Sequence, residues 1–111
     1  MRLTVERALA TDFDEPVFRP EAFRIRGELR FKQGHTELAE AGFREAIALA
    51  RTMGAKAWEL RAVMSFARLL AKQGHRDEAR TMLADIYNWF TEGFDTADLM
   101  DAKALLDELN G

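Results

Sequence analysis

Two histidines occur in the chain, His35 and His75, and they close two copies of one tetrapeptide. Lys32-Gln33-Gly34-His35 returns unchanged, forty residues later, as Lys72-Gln73-Gly74-His75. A shared metal ion would need both imidazoles within a few ångströms of one point. Helical units that recur at a fixed period set equivalent turns about one unit apart, so both histidines read as solvated turn residues. Ser65 has no His or Asp in helical register and supports no nucleophilic triad. Asp95, Asp98 and Asp101 follow at intervals of three. They suit the positive end of a helix better than an oxygen cage for a cation. Neither a G-x-x-x-x-G-K-[ST] phosphate loop nor G-x-G-x-x-G is present. The expectation is a non-enzyme with no catalytic residue, no metal and no cofactor.

The elements that would position any binding residues follow from composition and periodicity. The 111 residues are 48% apolar and 32% charged, enough for one small domain with its own core. Both prolines, Pro16 and Pro20, precede the tetrapeptides, so everything from Glu21 onward is free to be helical. No apolar run approaches the ~18 residues of a membrane span. The absence of cysteine rules out disulfides and thiolate zinc sites and fits a cytoplasmic location. A net charge of −3 and a pI near 5.4 argue against nucleic acid as partner.

Residues 1–19 form a weakly defined segment in which Val5, Ala8 and Leu9 could share a short helix face before Pro16 breaks it. Residues 20–111 then read as five helices: about 21–33, 36–54, 55–73 and 76–90, with a last one from about 96 to 110. Gly34, Gly54 and Gly74 fall where helices should stop. Asp95 or Thr96 is placed to cap the last helix. The third helix is the most apolar, with Trp58, Leu60, Val63, Met64, Phe66, Ala67, Leu69 and Leu70 spread widely enough to be covered on two sides. The last one, with Leu99, Ala102, Leu105, Leu106 and Leu109 on a single stripe, should close one end.

Aligned on Gly34 and Gly74, small residues match small ones: Gly27 with Ala67, and Ala39 with Ala79. Large apolar residues also match, Phe23 with Val63 and Phe43 with Leu83. This spacing resembles the tetratricopeptide repeat, although the period is 40 rather than 34. The resemblance implies an all-α, right-handed stack of two helical hairpins, about residues 20–54 and 55–93, plus a C-terminal capping helix. Two further runs, Gly54-Ala55-Lys56-Ala57-Trp58-Glu59-Leu60-Arg61-Ala62 and Tyr87 through Leu99, are similar to the C-terminal tail of a bacterial multidomain family. In that family a predicted ATPase is joined to a class III adenylate/guanylate cyclase domain. None of that catalytic machinery lies in this chain; what the resemblance implies is a scaffold or interaction arm in signal transduction.

If the first helix of each hairpin lines the concave side, as in tetratricopeptide arrays, one face gathers Arg24, Glu28, Phe31 and Lys32 with Arg61, Met64, Arg68 and Lys72. That set is net basic on an acidic protein and suits an acidic protein or peptide, though it lacks the carboxylate-clamp pattern of chaperone-binding repeats. Trp58, Trp89 and Phe94 are expected in inter-unit packing. Two legible units are few for a free-standing stack. Phe23, Ile25, Phe43 and Ile47 would then lie at an end covered either by residues 1–19 or by a second copy, and the expectation is a homodimer.

Overall fold

The computed structural model describes residues 19–111; the readings of residues 1–18 lie outside it. The described chain is all helical: α1 (Arg19–Lys32), α2 (Thr36–Met53), α3 (Lys56–Lys72), α4 (Arg76–Tyr87) and α5 (Ala97–Asn110). Consecutive helices pack on one another, and α3 also meets α1 and α5. The helices α1, α3 and α5 therefore form one face of the molecule, with α2 and α4 behind them.

The paired tetrapeptides build matching turns. Gly34 and Gly74 adopt φ of 82° and 88°, the left-handed region that glycine enters without a Cβ penalty. In each turn the next residue's N–H reaches a carbonyl five positions back, His35 to Arg30 at 2.9 Å and His75 to Leu70 at 2.8 Å. Ala55 makes the same bond to Ala50 after Gly54. At α5 the cap position is Thr96, as the sequence suggests, but its side chain makes no cap bond. The hydroxyl donates instead to the carbonyl of Gly93 at 2.8 Å, tightening the connector rather than the helix. The fourth helix ends at Tyr87, three residues before the sequence-based limit, because Asn88-Trp89-Phe90 leave helical geometry for short-range turns.

Ten residues of α3 are buried, Leu60, Val63, Phe66 and Leu69 among them. From α2 come Ala39, Phe43, Ala46 and Ile47, from α4 Ala79, Leu83 and Ile86, and from α5 Leu99, Ala102, Leu105 and Leu109. Phe43 and Ile47, read from the sequence as self-association residues, belong to this core, at 0% and 7% exposure. Phe43 turns inward under Gly27 and its ring lies 6.5 Å from that of Phe66. Neither can meet a second chain without unpacking the first. The two other residues of that set lie nearer the surface: Phe23 is partly buried against the core and Ile25 is 37% exposed.

The crossing of α1 on α2 depends on the missing side chain of Gly27. A Cβ there would fall 2.6 Å from Cε1 of Phe43 and 3.2 Å from the carbonyl oxygen of Ala39. Replacing Gly by Ala in a helix gains roughly 1 kcal/mol of propensity. Overpacking against a fully enclosed ring costs about 1–3 kcal/mol. The clash should win, so Gly27→Ala is expected to lower the thermal midpoint, and adding Phe43→Leu should restore part of the loss. A Gly27→Ala protein as stable as the parent would show that the helices separate at no cost.

Candidate functional site on the α1–α3–α5 face

Ionic and polar side chains link the three helices of this face. Glu21, in the first turn of α1, takes a two-pronged contact from Arg24, Nε to Oε1 at 2.8 Å and Nη2 to Oε2 at 2.7 Å. Its Oε2 also accepts from Nη1 of Arg61 on α3 at 3.0 Å. Arg61 then donates through Nε to Oδ2 of Asp98 on α5 at 2.9 Å. A few residues along, the buried hydroxyl of Ser65 donates to Glu28 at 2.7 Å and accepts from Arg24 at 3.4 Å. No buried side-chain oxygen or nitrogen among the described residues lacks a partner.

The electrostatics follow from this wiring. Burial by itself raises the pKa of the Glu21 carboxyl, but the hydrogen bonds and charges of Arg24 and Arg61 outweigh it and hold the group below its ordinary value. The bond to Glu21 raises Arg24, and the bond to Asp98 raises Arg61. Both guanidiniums therefore stay charged and occupied. The network holds Glu21, Glu28 and Asp98 against Arg24 and Arg61, three acids to two bases.

This divides the surface read from the sequence as one basic groove. Arg24, Glu28 and Arg61 are brought together, but bonded to one another and to acids of the same face. Met64 is 6% exposed and belongs to the core rather than the groove. The other four lie toward the C-terminal ends of α1 and α3. Phe31 is partly buried with the Lys72 ammonium 5.8 Å from its ring centre, and Lys32 and Arg68 are exposed on the same two helices. Arg68 also borders a shallow depression with Asp101 and Glu108 of α5.

Three participants were not singled out from the sequence for this role. In sequence Glu21 is one acid in a basic stretch, Ser65 a hydroxyl without a triad and Asp98 a first-turn carboxylate. A readable signal existed for the first two: Glu21 and Arg24 stand at i, i+3, and Ser65 is a small polar residue in an otherwise apolar stretch. His35 and His75 are exposed at the starts of α2 and α4 without capping bonds. The aromatic residues expected in packing divide. Trp58 is half-buried beneath Arg61. Trp89, edge-on to Phe90 and faced by Lys56, is 57% exposed, and Phe94 is 44% exposed against Tyr87. The connector that carries Trp89 and Phe94 turns outward after Tyr87, which leaves those two rings at the surface.

With this geometry in hand, comparison with protein-family models, with curated proteins and with solved structures yields no match to the chain. No described helix is long and apolar enough to cross a membrane.

Glu21 ties the network to pH. Its folded-state pKa lies below the unfolded value, so its contribution is complete above the ordinary value of 4.5 and fades as pH falls through the lowered one. Near neutrality Glu21→Gln should cost about 1.5–3 kcal/mol, the range for hydrogen bonds to charged groups. Thermal midpoints of parent and variant should converge as pH is lowered below that value. A gap that stays constant down to strong acid would mean that the carboxylate charge contributes nothing.

Proposed function

We propose that the chain is a non-catalytic protein-interaction module, a tetratricopeptide-like stack that serves as a scaffold or docking arm in bacterial signal transduction in the cytoplasm. The observation that carries this reading is the Phe31–Lys72 contact together with the exposed Lys32 and Arg68 on the same two helices. This set combines an apolar ring with three cations on a face whose other two arginines are already paired. Lys72 and Phe31 bridge α1 and α3, so the site draws on two helices at once. Its partner is an acidic protein segment that brings an apolar side chain to Phe31 and carboxylates to the three cations. The signalling context rests on the resemblance of the Gly54–Ala62 and Tyr87–Leu99 runs, and the docking role on that set of residues.

Exposed charges are individually weak, about 0.2–1 kcal/mol each. Reversing three together should therefore cost about 0.6–3 kcal/mol, or roughly three- to a hundredfold in affinity. Selection of displayed random peptides against the full chain is expected to enrich acidic sequences with an aromatic or aliphatic residue. Binding should weaken in salt, and should weaken by that factor in the Lys32→Glu/Arg68→Glu/Lys72→Glu protein. Enrichment that ignores the triple reversal would overturn the assignment, as would the absence of any enriched sequence. Arg61→Gln separates the two parts of the face: it should lower the thermal midpoint and leave peptide affinity unchanged.

A further inference from the structure

Among the large apolar side chains exposed at the surface, Trp89, Phe94 and Met100 fall in one stretch, from the end of α4 into the first turn of α5. The two rings are held in place. Trp89 stands edge-on to Phe90 with ring centres 5.1 Å apart, and Phe94 lies 5.7 Å from Tyr87. Gly93 turns the backbone at φ 79°, and its carbonyl accepts from the Thr96 amide at 2.9 Å and the Thr96 hydroxyl at 2.8 Å. Glu92 stands between the two rings in sequence and Asp95 directly after them, both exposed. A loop already ordered in this way gives up little freedom when it binds. Exposed tryptophan is also the side chain most enriched among the anchors of protein interfaces.

Aromatic rings flanked by carboxylates are what the Phe31–Lys72 site calls for, with an apolar group for Phe31 and acids for Lys32, Arg68 and Lys72. One molecule cannot bring the two surfaces together. Trp89 sits at the start of α3, where the Lys56 ammonium lies 5.5 Å from its ring, and Lys72 is the last residue of that helix. The helix between them is roughly 24 Å long. We propose that the occupant of the Phe31–Lys72 site, whose docking role is the reading on which this rests, is the α4–α5 connector of a second copy of the chain. The two surfaces differ, so the contact is head-to-tail and each added copy leaves one of each kind free. Copies therefore add in succession, as a row or a closed ring, and concentration sets how many are joined.

In low salt the sedimentation mass of the full chain should rise above 12.6 kDa with concentration and fall back in high salt. Two variants each remove one surface: Trp89→Ala/Glu92→Gln/Asp95→Gln the connector, and Lys32→Glu/Arg68→Glu/Lys72→Glu the site. Either one alone should sediment at the monomer mass. Mixed in equal amounts, they retain one intact surface of each kind and should form pairs of twice that mass and nothing larger. All six substituted side chains are exposed. If a triple variant misfolds, Glu92→Gln/Asp95→Gln or Lys32→Gln/Arg68→Gln/Lys72→Gln stands in for it. A parent that is monomeric at every concentration would overturn the proposal, as would variants that associate like the parent or a mixture that stays monomeric. Acidic displayed peptides, measured against the connector variant, separate this outcome from the docking role itself. Peptide binding without self-association would keep the site and remove the second copy as its occupant; absence of both would overturn the two together.

Discussion

One guanidinium, that of Arg61, lies between carboxylates of two other helices. It reaches Glu21 at the start of α1 and Asp98 at the start of α5 from a position on α3. Apolar packing brings these helices into contact but is indifferent to sliding along their axes, since a leucine stripe displaced by a turn still buries leucine. A planar fork that must meet two carboxylates is not indifferent. With both acids in the first turns of their helices, Arg61 fixes where each helix begins relative to α3. Ser65, bonded to Glu28 and within reach of Arg24, repeats the constraint one turn along.

Partly buried ion pairs of this kind contribute little net stability, because desolvation consumes most of the attraction. Their weight lies in what they exclude. Glu59 shows the same logic at the other edge of α3: its side chain is 5% exposed, yet it accepts from Arg51 at the end of α2 and from Lys56 in its own first turn. The carboxylate fixes the angle of the α2–α3 turn, where an alanine would leave only a smooth contact. Alignment is thus set by charged side chains at helix starts and volume by apolar ones in helix middles.

Much of the helical layout was legible in the sequence because its determinants are local. The glycine after each tetrapeptide's glutamine, the three- and four-residue spacing of apolar side chains and the broad apolar surface of the third helix each state a requirement that the backbone meets within a few residues. The surface was not legible in the same way. Arg24 and Arg61 look identical in sequence to Lys32 and Arg68. The folded placement of Glu21 and Asp98, forty and thirty-seven positions from Arg61 along the chain, decides that the first two are engaged, while the second two are exposed. Phe43 differs from its sequence expectation for a related reason: the spacing defines its helix, but its inward position depends on the glycine opposite it. Trp89 and Phe94 depend on the path of a connector without regular spacing.

The contacts of α3 with all four other described helices set how the molecule can come apart. A helix at an edge can detach while its neighbours remain folded, since it gives up one or two interfaces. For α3 no such partial step exists, because releasing it removes an interface from every remaining helix. Amide hydrogens in the middle of α3, around Val63 to Ala67, should therefore exchange with solvent only when the whole chain unfolds, and their protection measures the global free energy. Those of α5, held on one side, report a shallower opening. The fold thus has a gradient of permanence from its central helix to its last one, and fluctuations of the α3–α5 side of the face are set by α5 rather than by α3.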